Sequence, residues 1–131
     1  MNSLFGLIGY PLGHSFSKRY FTEKFEQLGL QDSHAYTQFE IPTIEDFPAL
    51  LGTESIKGFN VTIPYKQQII PFLDEIDPAA ARIGAVNTIK ILPDGRTCGY
   101  NTDYFGFQGT LKAWSAYPHF KSLSALVLGQ G

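Results

Sequence analysis

An α/β fold, with a mainly parallel sheet flanked by helices and one β-hairpin, is what this 131-residue sequence predicts. Three observations carry that expectation. Short apolar runs bounded by turn residues recur along the chain, as buried strands do. Segments with apolar residues at helical spacing separate them. A Pro93–Asp94–Gly95–Arg96 turn joins two of the runs directly, which reads as a hairpin. The length suffices for one domain with a sizeable core, and not for two full ones.

Taken in order, SLFGLIG (3–9) is a first strand closed by Tyr10–Pro11. From Ser17 the period becomes helical, with Phe21, Phe25 and Leu28 on one side and Gly29 placed to end the helix. AYTQFEI (35–41) alternates as a strand does, and Thr43 is a candidate N-cap for a short helix through Leu51. GFNVTI (58–63) is a third strand, after which Pro64 suits a helix start and Pro71 a break. NTIKIL and TCGYN form the hairpin, and helical period returns from Tyr104 to Trp114, with Phe105 and Leu111 among its apolar positions. SALVLG (124–129) is expected as a sixth strand.

Composition narrows the function. Hydrophobic residues make up 44% and charged residues 17%, as in globular proteins. A net charge of −2 gives no reason to expect nucleic-acid or membrane-surface binding. Cys98 is the single cysteine, in a strand-like run, and reads as a buried inert thiol; no metal-ligand spacing is present. The N-terminus lacks a signal peptide's basic region, and no apolar run reaches the ~18–20 residues that span a bilayer. A cytoplasmic protein is expected.

Ligands of such sheets bind beyond the carboxyl ends of strands. Polar residues gather at those places: His14, Ser15 and Ser17 after the first strand, Asn60, Thr62 and Lys66 around the end of the third. Asn87, Thr88, Asn101, Thr102 and Asp103 flank the hairpin. Hydroxyls and amides that both donate and accept suit a small polyhydroxylated acid. Lys66 and Asp103 are the only opposite charges in the set, and a pair of that kind can relay a proton to a substrate hydroxyl. Singly, each residue is also an ordinary turn, cap or surface residue, and the pattern by itself leaves both readings open.

Four motifs, GYPLGHSFS (9–17), NVTIPYK (60–66), IGAVNT (83–88) and GYNTDYFG (99–106), occur in the order and spacing of the shikimate dehydrogenase family, which the chain resembles over nearly its whole length. The resemblance implies reversible hydride transfer between NADPH and 3-dehydroshikimate, giving shikimate on the route to chorismate and the aromatic amino acids. It implies that Ser15 and Ser17 bind the substrate carboxylate, that Asn60, Thr62, Asn87 and Asp103 hold the ring hydroxyls, and that Lys66 and Asp103 are the catalytic pair. One departure is Lys18–Arg19–Tyr20–Phe21–Thr22, where the family commonly has Pro and then His–Asn; it adds two positive charges near the carboxylate site.

The same resemblance divides the chain into a shikimate-binding catalytic domain (1–103), an interdomain helix and linker (104–122), and the first strand and start of a Gly-rich loop of a Rossmann-type NADP domain (123–131). Gly129 and Gly131 would open that loop, which lacks the following helix that holds a pyrophosphate. The chain alone is therefore expected neither to bind NADP nor to act as a dehydrogenase. Its apolar strand at 124–128 is expected to self-associate. Two other readings remain: an NAD-dependent quinate/shikimate dehydrogenase, and a non-catalytic small-molecule binding module.

Overall fold

The computed structural model describes residues 2–114 and 117–129. It forms a six-stranded sheet of strands β1 (Ser3–Gly9), β2 (His34–Glu40), β3 (Ile56–Val61), β4 (Glu75–Ile76), β5 (Thr88–Ile91) and β6 (Thr97–Tyr100), in the order β2-β1-β3-β5-β6-β4. β1 pairs parallel with β2 and β3, and β4 pairs parallel with β6; β5 runs antiparallel to both β3 and β6. One strand thus opposes all the others. The carboxyl ends of β1, β3 and β6 and the start of β5 consequently share one edge of the sheet, which is what gathers the polar residues found there.

Successive side chains of a strand point to opposite faces. On one face Ile8, Phe59, Val61 and Ile89 join Ile44, Phe47, Ile69 and Ala80 in the main core. These last come from a 3₁₀ turn (Ile44–Asp46), helix α2 (Phe47–Leu50), the loop after β3 and helix α3 (Pro78–Ile83). On the other face, helix α1 (Phe16–Gln27) covers β1 and β2: Phe25 meets Phe5 at 6.0 Å, and Phe21 stacks on Tyr36 at 4.9 Å between ring centroids. Gly29 ends α1 as expected. It has φ +71°, and its N–H and that of Leu30 bond Glu26 O and Phe25 O in a Schellman closure. The hairpin also forms, with Leu92 N–H donating to Arg96 O at 2.8 Å across the turn.

Two expectations fail. No helix starts at Pro64: Pro71 has no N–H to donate to a carbonyl one turn before it. Tight turns replace it, with Tyr65 N–H donating to Thr62 O at 3.0 Å, followed by a 3₁₀ turn at Ile70–Phe72. Residues 123–129 form no strand, because a strand exists only as a ladder and this segment pairs with none of the six. The sixth strand is instead Glu75–Ile76, two residues too short to show any period in the sequence. Helix α4 (Thr102–Ala113) is present, but its apolar positions face outward: Phe105 and Phe107 are 54% and 71% exposed. Cys98 is buried, as expected.

Candidate active site

The shared sheet edge opens into a cleft of about 590 Å³ whose walls include Ser15, Ser17, Asn60, Thr62, Lys66, Asn87 and Asp103, all seven predicted substrate residues. His14, Gln38 and Thr102 line it too. Each wall is placed by local folding. The loop after β1 brings in Ser15, which caps α1 by accepting Lys18 N–H at 3.1 Å; Ser17 lies one step inside the helix. A helix N-terminus carries partial positive charge, so this wall favours an anion. Arg19 is engaged with Glu23 at 3.2 Å on the exposed side of α1.

The loop after β3 is held by its apolar neighbours. Tyr65 is buried and donates its hydroxyl to Ile41 O, and Ile69 is fully buried. Lys66, adjacent to Tyr65 and three residues from Ile69, is left at the rim, and its backbone carbonyl accepts Val86 N–H at 2.8 Å. The Lys66 ammonium reaches Asp103 Oδ2 at 3.2 Å, with side chains 39% and 68% exposed. Asp103 sits in the first turn of α4, where a carboxylate suits the helix dipole. Asn101, not Thr102, caps that helix: its Oδ1 accepts Tyr104 N–H at 2.9 Å.

Between these walls runs a directed chain of hydrogen bonds. Its polarity is set by a group that can only donate, the backbone N–H of Thr102, which bonds Asn87 Oδ1 at 2.9 Å. Asn87 Nδ2 therefore faces Thr102 Oγ1 at 3.0 Å, and the Thr88 hydroxyl donates to Asn87 Oδ1 at 3.0 Å. Thr88 in turn accepts from Asn60 Nδ2 at 3.3 Å, which leaves Asn60 Oδ1 to accept the Tyr36 hydroxyl at 2.9 Å. Asn87 is buried, and no buried side-chain polar atom among the described residues lacks a partner. Tyr36 was not visible as a site residue from the sequence. The signal was there in β2, whose period of two puts Tyr36 and Gln38 on the same face, both with polar tips. Burial pushes the Tyr36 phenol up to about 12, with the Ser17 hydroxyl acting in the other direction.

The sequence profile described as the shikimate dehydrogenase substrate-binding domain matches residues 7–89. The chain belongs to the shikimate dehydrogenase family. A shikimate dehydrogenase (NADP(+)) of Staphylococcus aureus (strain Newman) is 42% identical over 130 residues, covering 97% of this chain and 46% of that protein. The crystal structure of shikimate dehydrogenase 1 from Peptoclostridium difficile matches with a TM-score of 0.75 at 43% identity, over 84% of this chain and 41% of its own. Shikimate 5-dehydrogenase from Thermus thermophilus, solved in complex with shikimate, matches with a TM-score of 0.74 at 37% identity, over 85% and 42%. The chain thus spans under half the length of the shikimate dehydrogenases it matches.

The Staphylococcus aureus relative is a shikimate dehydrogenase (NADP(+)), so the fit of that cofactor to the present residues matters. A dinucleotide needs a Gly-rich loop opening a helix whose N–H groups meet the pyrophosphate. Gly129 has φ +91°, the backbone freedom such a loop uses, but no described helix follows it. Gly131 lies outside the described residues. The described residues supply no dinucleotide cradle. Nor do they contain a group of three or more His, Cys, Asp or Glu side chains that could hold a metal ion.

Proposed function

We propose that the cleft binds shikimate and 3-dehydroshikimate, and that Lys66 and Asp103 are the proton-transfer pair of an NADP-dependent shikimate dehydrogenase on the route to chorismate. The observation that supports it most is the Lys66–Asp103 pair at 3.2 Å, on the wall of the same cleft that Ser15, Ser17, Asn60, Thr62 and Asn87 line. Ser15 and Ser17, at the positive end of α1, receive the carboxylate. Asn60, Thr62, Asn87 and Asp103 bind ring hydroxyls. The Lys66 ammonium gives a proton to the oxygen of the carbonyl as it is reduced and takes it back in oxidation, while Asp103 holds that ammonium in place. The nicotinamide cofactor supplies or accepts the hydride when bound.

In this reading residues 1–103 are the substrate-binding catalytic domain, 104–122 an interdomain helix and linker, and 123–131 the opening of the nucleotide-binding part. The outward-facing apolar positions of α4 support that division. No helix among the described residues is long and apolar enough to cross a membrane. The single cysteine, buried and free, supports a cytoplasmic setting. Leu126, Val127 and Leu128, 83%, 81% and 87% exposed, support self-association through this run. Sedimentation that stays monomeric as the concentration rises removes that part.

The test of the site is an NMR titration of the chain with shikimate and, in parallel, quinate. Shifts clustered on Ser15, Ser17, Asn60, Lys66, Asn87 and Asp103 are expected. No shifts from a chain shown to be folded would sink the reading. In a dehydrogenase containing this segment, Lys66→Ala should lower kcat by about 10²–10⁴-fold, the usual contribution of a positioned proton donor. Near-normal kcat would remove Lys66 from the chemistry.

A further inference from the structure

We propose that Tyr36 is a positioning residue of this cleft: its hydroxyl holds the Asn60 amide, so that the β3 wall presents one hydrogen-bonding pattern to a polyhydroxylated acid. This rests on the substrate reading above and adds a residue to it. Asn60 is on β3, separated from β2 by β1. The Tyr36 phenol spans β1 and donates to Asn60 Oδ1 at 2.9 Å.

The ring that carries this hydroxyl is held rigidly. Tyr36 is 5% exposed and stacks on Phe21 at 4.9 Å with 19° between planes. Phe21 belongs to α1, so the helix that covers β2 also clamps this ring. The phenol is kept protonated by its burial, and a phenolate could not donate to Asn60.

Asn60 is where this matters for a ligand. A side-chain amide reads a hydroxyl differently according to whether its oxygen or its nitrogen faces the ligand. The chain of bonds from the Thr102 N–H through Asn87 and Thr88 sets which end of the amide faces Tyr36. The 2.9 Å bond from Tyr36 then holds Oδ1 more tightly than the 3.3 Å bond to Thr88 holds Nδ2. With Oδ1 held by Tyr36 and one Nδ2 hydrogen by Thr88, the second Nδ2 hydrogen and the second lone pair of Oδ1 remain for the ligand, in fixed directions. Phe at position 36 keeps the stacking and the volume and removes only the donor.

The experiment is Tyr36→Phe in the chain, read in two ways. Without ligand, the side-chain NH₂ resonances of Asn60 should shift and move closer together, because the amide loses its anchor; a residue that serves packing alone leaves them in place. With shikimate, affinity should fall about three- to tenfold, the worth of one hydrogen bond. In an Asn60→Ala background the same substitution should change affinity less than about twofold, since the constrained group is gone. Unmoved Asn60 resonances, or an equal loss of affinity with and without Asn60, would overturn the assignment. If the unsubstituted chain binds no shikimate, the substrate reading fails, and the ligand-free resonances still decide whether Tyr36 positions Asn60.

Discussion

Lys66 and Asn87 lie on one cleft yet contribute to the molecule in opposite ways. The Lys66–Asp103 pair is solvent-exposed, and exposed ion pairs are worth about 0–1 kcal/mol of stability. Lys66→Ala should therefore leave the thermal midpoint within about 5 °C of the parent, while shikimate affinity or turnover collapses. A large loss of stability instead would mean that the lysine serves the fold. Asn87 is buried, accepts the Thr102 backbone N–H and Thr88 hydroxyl, and donates to Thr102 Oγ1. Its truncation strands a buried N–H and breaks the polarity of the whole chain of bonds, so Asn87→Ala should cost about 1–3 kcal/mol in urea unfolding as well as binding. A cost near zero would show that water replaces the amide without penalty.

The elements meet the site through two loops that touch. The loop after β1 and the loop after β3 approach so closely at Gly9 that a Cβ there would lie 2.7 Å from Thr62 Cγ2, 2.8 Å from Leu12 Cδ2 and 3.0 Å from Ile63 O. The backbone bonds Thr62 N–H to Ile8 O at 2.9 Å and Tyr10 N–H to Ile63 O at 3.1 Å pin the same junction. Thr62 and Leu12 can give a little, but the Ile63 carbonyl belongs to the loop that carries Lys66. Gly9→Ala should therefore push the two loops apart, costing about 1–3 kcal/mol of stability and weakening shikimate binding, with shifts spreading over Ser15, Thr62 and Lys66. Unchanged binding would show that the loops absorb a methyl group without moving the site. Ser15 has a double role at this scale, since the hydroxyl that lines the cleft also caps α1.

Over the whole molecule, burial raises the phenols of Tyr36 and Tyr65, while Tyr100 is raised chiefly through Cys98. For Tyr36 the change runs from 10.0 to about 12. A group raised in the folded state gives its full stabilisation below the unfolded value and loses it as the pH passes through the folded one. Stability should therefore fall between about pH 10 and 12, and Tyr36→Phe should flatten part of that fall in urea melts. A profile unchanged by the substitution would mean that Tyr36 titrates normally.

Neighbouring residues alone set the α/β alternation, the hairpin and the end of α1 at Gly29, because each has a local cause, and the four motifs shared with the family pointed to seven residues that line the cleft. Apolar period, turn chemistry and motif spacing are written in neighbouring residues. The rest needed neighbours from elsewhere in the chain. Strand β4 has two residues and exists only because β6 offers a ladder, and the apolar run near the C-terminus is no strand because none of the described strands pairs with it. Ser15 and Asn101, not Ser17 and Thr102, cap their helices, a one- or two-residue choice that side-chain geometry makes. Tyr36 meets the cleft residue Asn60 only because the sheet order puts β1 between β2 and β3 and lets one phenol reach across it. Propensity is local, whereas pairing, burial and the direction of a hydrogen bond belong to atoms that meet only after the chain has folded.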